Sequence, residues 1–218
     1  MSTDTKPDTQ TMVVVHRVFR REFDLLPDLI DGVRAGDTER AAVLAEHLTD
    51  VVAALHHHHQ AEDDLVWPLL LERATLHVDL VHRMEAQHTA LGAALDRIEK
   101  LTPQWRRGAS LVEGRELAAA VREASAILRE HMGEEETEIL PVITEHLSVE
   151  EWAEVGERAG KSIQDKRKRL LFLGAILEDA SPQEQRDFLG ELPPPVRLLW
   201  RIAGRRAYGG YTRLIRNY

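Results

Sequence analysis

Four successive segments of this chain carry apolar residues at steps of three and four, and only histidine and glutamate interrupt the pattern. The first seam runs Met12, His16, Phe19, Phe23, Leu26, Ile30, and the second Val51, Leu55, His58, Glu62, Leu65, Leu69. The third runs His77, Val81, Met84, His88, Leu91, Leu95, Ile98, and the fourth Leu117, Val121, Ala124, Leu128, His131, Glu135, Glu138, Val142. Steps of three and four put side chains on one helical face. Each segment is therefore expected to be a helix with that face to bury. Period-two alternation is almost absent, so the expected fold class is all-α, a four-helix bundle.

Each seam places one histidine on the buried face: His16, His58, His88 and His131. Two seams add a glutamate one turn later, Glu62 and Glu135. A buried carboxylate is costly unless it is paired or bound to a metal. Side chains four apart lie about one turn apart on the same face, so His-x-x-x-Glu can converge on one dinuclear site. The motif occurs twice. His58, Glu62 and Asp63 are followed by Pro68, and His131, Glu135 and Glu136 by Pro141, each proline ten residues after its histidine. Two copies of one ligand motif fit pseudo-symmetric halves.

Composition narrows the chemistry. The 218 residues contain no cysteine, which excludes disulfides, thiolate-bound zinc and cysteine-ligated iron–sulfur clusters. Any metal must be held by nitrogen and oxygen, a donor set that suits iron, manganese or zinc. The net charge of −9 argues against nucleic acid as the main partner. The longest apolar run, Leu170 to Leu177, is too short to span a bilayer. Met1 to Gln10 has no apolar core of a signal peptide, so a cytoplasmic location is expected.

Turn residues divide the chain. Residues 1–10 read as a disordered tail. Breaks are expected at Gly36-Asp37, at Arg73 to Thr75, and at Thr102-Pro103 with Gly108 to Ser110, and the fourth helix over Glu113 to Glu145. Ser148 with Glu151 is a capping-box signature that opens a region without histidine. Helices are expected there over Val149 to Ser162, Lys166 to Glu178 and Pro182 to Gly190, the last begun by Ser181. Pro193 to Pro195 read as a stiff connector before a basic helix from Val196. The expected organisation is a bundle over 11–147 and a helical extension over 148–218 packed on it.

His16, His58/Glu62, His88 and His131/Glu135, in that order on four helices, resemble the ligand pattern of hemerythrins and hemerythrin-like (HHE cation-binding) domains over Met12 to Leu147. The region after Ser148 is similar to the C-terminal helical extension of some actinobacterial members. The resemblance implies an up-down four-helix bundle and two non-haem iron ions bridged by carboxylate and an oxo or hydroxo group. It implies a small ligand, O2, H2O2 or NO, with peroxide decomposition favoured. The alternative is a non-enzymatic iron, oxygen or redox sensor that uses the C-terminal helices as its output. A catalase- or peroxidase-like activity and a homo-oligomeric state are both compatible with it.

Two positions depart from the oxygen carriers. Their extra histidine one turn before the position of His88 is Met84 here, and their fourth-helix aspartate is replaced by Glu135 at a shorter spacing. One metal then lacks a nitrogen. Glu85, in the Glu-x-x-His spacing of ferritin-like di-iron sites, is an additional candidate ligand, with water or another residue as the alternative.

Within His56 to His59, His58 lies on the seam, and His59 is its main competitor because Asp63 gives it the same spacing. His56 and His57 are expected near the site or in solvent, and His47, His77, His82 and His146 at the surface. Asp63 and Glu136 either orient ligand histidines or face solvent. The basic tail, with Arg197, Arg201, Arg205, Arg206, Arg213 and Arg216, has two readings. It touches acidic lipid or nucleic acid, or, more simply, it packs its apolar face on the bundle and turns its arginines to the acidic part of the chain.

Overall fold

A computed structural model describes residues 6–216, and it is all-α. The expected tail at 1–10 falls partly on residues 1–5, outside the described residues. Pro7 is buried, and the Asp8 carbonyl accepts a hydrogen bond from Trp152 Nε1 at 3.0 Å.

Long helices form the bundle: α1 (Gln10–Asp31), α2 (Thr38–Leu65), α4 (Val78–Gly108) and α5 (Leu111–Glu134), with the short α3 (Trp67–Arg73) after α2. Their seams bury Phe19, Phe23, Leu26, Leu44, Leu48, Leu55, Leu91, Leu95, Leu117, Val121 and Leu128 in one core. Full burial of a side chain of this kind contributes roughly 1.5–3 kcal/mol. The loops at one end of the bundle meet, because Gly36 N–H donates to Ala109 O at 3.1 Å. Gly36 adopts φ 81°, a conformation that glycine enters without steric cost. Ala109 ends α4 in the left-handed region at φ 46°.

The predicted break at Thr102-Pro103 does not occur. Pro103 lies inside α4, which runs on to Gly108. Thr102 Oγ1 bonds the Ile98 carbonyl at 2.7 Å, and the buried Trp105 ring anchors the last turn against Gly114. Packing of that ring outweighs the hydrogen bond that proline cannot donate.

Both ligand-bearing motifs are followed by an interruption of the regular α-helix. Helix α2 ends at Leu65 and α3 starts at Trp67. A π turn over Glu135–Ile139, in which Leu140 N–H donates to Glu135 O five residues back, separates α5 from α6 (Leu140–His146). Each interruption shortly precedes a proline, Pro68 or Pro141, which lacks the donor for a continuous ladder. The π turn adds a residue and rotates the buried face after Glu135. At Val66 the N–H still donates to Glu62 O four residues back at 2.8 Å, and Leu65 and Leu69 are half-buried while Val66, Trp67 and Leu70 go inside. Glu138, expected on the seam, is exposed, and Ile139 takes its place in the core.

Beyond the bundle lie α7 (Val149–Ser162), α8 (Lys166–Glu178), α9 (Pro182–Glu191), α10 (Pro194–Leu199), a π turn (Trp200–Gly204) and α11 (Arg205–Arg216). The capping boxes Ser148/Glu151 and Ser181/Glu184 are both formed. Pro194 and Pro195 form the first turn of α10 rather than a connector, a position where the missing N–H costs nothing. Helix α7 packs on α2 and α8 on α1.

His47 is a correction to the surface expectation, since it is buried between the bundle and α11. Its Nε2 lies 3.0 Å from Glu22 Oε2, and its Nδ1 lies 2.9 Å from the Tyr211 hydroxyl. Glu22, itself buried, also pairs with Arg21 at 2.8 Å and Arg216 at 3.4 Å. Burial would raise the Glu22 carboxyl, but the bonds to His47 and Arg21 outweigh it and hold it at about 2. Removing one partner of a buried ion pair strands the other charges. We expect Glu22→Gln to cost roughly 3 kcal/mol in urea unfolding at neutral pH. A depressed carboxyl stabilises above its ordinary value and loses that contribution as it is protonated. The gap between the two proteins should therefore narrow as pH falls from 4.5 towards about 2.

Candidate metal centre

In the middle of the bundle, α1 brings in His16, α2 brings His58, His59 and Glu62, α4 brings His88, and α5 brings His131. Glu135 enters as the first residue of the π turn. Two groups form, each with ligand-capable atoms within 4.8 Å of one another: His16, His58, Glu62 and Glu135, and His59, Glu62, His88 and His131. All of these side chains are buried.

Glu62 is common to both groups. Its Oε1 lies 3.2 Å from His58 Nε2, and its Oε2 lies 3.5 Å from His88 Nε2. Glu135 Oε2 sits 3.3 Å from His16 Nε2 and 3.5 Å from His131 Nε2, again between the groups. Each carboxylate therefore faces imidazoles from two helices.

The outer nitrogens of three rings are held by acceptors. His16 Nδ1 lies 2.8 Å from Glu136 Oε1, His88 Nδ1 2.7 Å from Asp63 Oδ1, and His131 Nδ1 3.1 Å from Gln87 Oε1. Each acceptor is itself pinned, Glu136 by Arg20 at 2.7 Å and Asp63 by Trp67 Nε1 at 2.8 Å. Gln87 Nε2 donates to Glu134 at 2.7 Å, which leaves Oε1 for His131. An acceptor at Nδ1 fixes the proton there and leaves Nε2 as a bare lone pair. His88 and His131 then face each other with Nε2 atoms 3.2 Å apart. Two lone pairs so placed repel unless a cation lies between them. Asp63 and Glu136, which sequence left between two roles, thus orient histidines.

The site's own polarity points the same way. Both oxygens of Glu62, both of Glu135, and His59 Nε2 are buried without a hydrogen-bond partner. Burial, reinforced by Glu135, pushes the Glu62 carboxyl well up, and burial raises Glu135. Burial and neighbouring imidazoles push His58 and His59 well down, and His131 to about 2. Neutral imidazoles with carboxyls that resist ionisation form a donor set that a pair of divalent or trivalent cations would satisfy.

Glu85 is not brought into either group. Its Oε2 lies 2.8 Å from His82 Nδ1 on the outer face of α4. Met84 is core, packed with Val81 and Trp67. Where Met84 offers no nitrogen, the group around His88 includes His59 of α2. The His59 ring stacks on His88 with centroids 4.2 Å apart and 27° between planes. The signal for it was present in the sequence, His59 with Asp63 four residues on, but the seam favours one histidine per helix. His56 and His57 are half-buried outside both groups.

A cleft of about 470 Å³ between α2 and α4, lined by His56, Gln60, Asp63, Glu85 and Thr89, reaches His59 and His88. Asp63→Ala and Glu136→Ala, which free one imidazole each, should weaken metal binding roughly 10–100-fold in a chelator-competition titration. Glu85→Gln should leave it unchanged.

The Hemerythrin HHE cation binding domain model matches residues 8–143. No curated protein and no solved structure matches the chain.

Proposed function

Because the chain belongs to the hemerythrin HHE cation-binding domain family, we propose that it holds a pair of iron ions and reacts with a small oxidant, hydrogen peroxide before O2 or NO. The observation that carries this reading is the set of buried carboxylate and imidazole atoms without partners, converging from four helices on two adjoining groups. His16 and His58 would serve one ion, and His59, His88 and His131 the other, with Glu62 and Glu135 between them. Glu85 has no part in this assignment.

Bound iron supplies a change of oxidation state and an open position for a small oxygen or nitrogen ligand. The chain's own residues do the rest. Asp63, Gln87 and Glu136 fix the imidazole tautomers and the direction of each Nε2. The core around Phe19, Leu55, Leu91 and Leu128 keeps bulk water from the inner faces of the rings. Polar side chains line the cleft to His59 and His88, which suits a hydrogen-bonding oxidant such as peroxide better than an apolar gas. Manganese and zinc share this donor set, so the metal is settled by analysis rather than by ligand type.

Metal analysis joined to an optical spectrum before and after peroxide is the direct test. About two irons per chain are expected, with near-ultraviolet bands that change on peroxide. Zinc alone, or iron that does not respond to peroxide, O2 or NO, would remove the proposal. Removing the metal should lower the unfolding midpoint, because two buried carboxyls lose their counter-charge. Equal midpoints would speak against cation binding at the centre.

A second reading, a redox or iron sensor with residues 148–216 as output, is favoured by one contact chain. The Phe19 ring lies 5.4 Å from His58 on one side and 6.0 Å from Phe172 of α8 on the other. Limited proteolysis should then cut the α7–α8 connection at different rates in metal-free and metal-loaded protein. Identical cleavage patterns would end this reading.

A further inference from the structure

From Pro194 to Arg216 the chain is one continuous helical rod, α10, the π turn and α11. Its inner face is fastened. Trp200 and Ile215 are buried, and the Tyr208 ring lies so close to Gly174 of α8 that an added Cβ would come within 2.3 Å of it. The Tyr208 hydroxyl donates to Glu178 at 2.7 Å, Arg216 bonds the same carboxylate, and Arg40 of α2 donates to the carbonyls of Leu214 and Ile215. The simpler sequence reading, in which the tail packs on the chain, thus holds for Trp200, Ile215 and Arg216.

It does not hold for the outer face. Leu198, Leu199 and Ile202 are exposed at 55%, 50% and 73%. They are neighbours on the helix, since residues three and four apart adjoin. Scattered exposed leucines are ordinary, but three adjoining aliphatic side chains on one rigid ridge form a patch that seeks a partner. Arg197, Arg201 and Arg205, spaced four apart, run along its flank, with Arg206 one turn beyond Ile202. All four are exposed, and among the described residues none makes an ion pair or side-chain hydrogen bond. Residues 192–218 hold six arginines and no acidic residue, in a chain of net charge −9.

We propose that this ridge docks the protein on an anionic lipid surface. Leu198, Leu199 and Ile202 would enter the boundary between headgroups and acyl chains, with the arginine row at the level of the phosphates. Charge selects the orientation. Residues 192–218 carry six arginines and no acid while the chain as a whole is at −9, so charge favours the orientation in which this end faces an anionic leaflet. The attachment is peripheral, since no helix among the described residues is long and apolar enough to cross a membrane.

The test is co-sedimentation of the full chain with phosphatidylcholine vesicles, with and without phosphatidylglycerol. Binding is expected only with the anionic lipid and should weaken as salt is raised. The variants Leu198→Ser/Ile202→Ser and Arg201→Gln/Arg205→Gln should each reduce it roughly tenfold or more. Circular dichroism and metal content should be unchanged in both, which separates lost docking from lost folding. No binding to anionic vesicles overturns the proposal. Equal binding by the Leu198→Ser/Ile202→Ser protein also overturns it, because arginines alone would then be acting as a generic cation. Self-association through the ridge in place of vesicle binding, read by light scattering, would do the same.

Discussion

Two carboxyl groups buried without hydrogen bonds, Glu62 and Glu135, place the strongest constraint on this molecule. Withdrawing an ionised carboxylate from water costs several kcal/mol even after a protein relaxes around it. No hydrogen bond offsets that, since all four carboxyl oxygens are buried without a partner. Cations between the two groups would ionise both glutamates, engage the bare Nε2 atoms and turn a cluster of repulsions into a set of bonds. The hydrogen bonds from Arg20 to Glu136 and from Trp67 to Asp63 fit that arrangement, because they hold the acceptors that orient the His16 and His88 rings.

The same constraint shapes the backbone. A helix that turns ligands inward over one stretch and apolar residues over the next must keep phase through both. Here each motif-bearing helix is interrupted instead, at Val66 after Glu62 and in the π turn that starts at Glu135. The π turn exchanges Glu138 for Ile139 on the buried side, and Val66 and Trp67 pack inward after Glu62. Trp67 then caps the centre and holds Asp63 against His88. A departure from regular helix thus serves packing and ligand orientation together.

The helices after residue 148 join this centre through the core rather than through loops. Phe172 of α8 meets Phe19, which meets His58, while Glu22 and His47 link α1 and α2 to Tyr211 and Arg216 of α11. The bundle therefore has one wall built by its extension, and the extension's far side carries the arginine ridge.

The sequence by itself was enough for the all-α class, the order of the helices and the inward faces of His16, His58, Glu62, His88, His131 and Glu135. Those follow from local periodicity and from the cost of burying charge, both written in residue spacing. Its capping signals at Ser148 and Ser181 were equally local. Position relative to other helices was not legible. His59 joins the centre because α4 lies where its ring can stack on His88. Pro103 sits within a helix because Trp105 has a partner in α5, and His47 is buried because α11 returns across it. Such outcomes depend on which surfaces meet across long stretches of chain, and spacing along one helix carries no record of that.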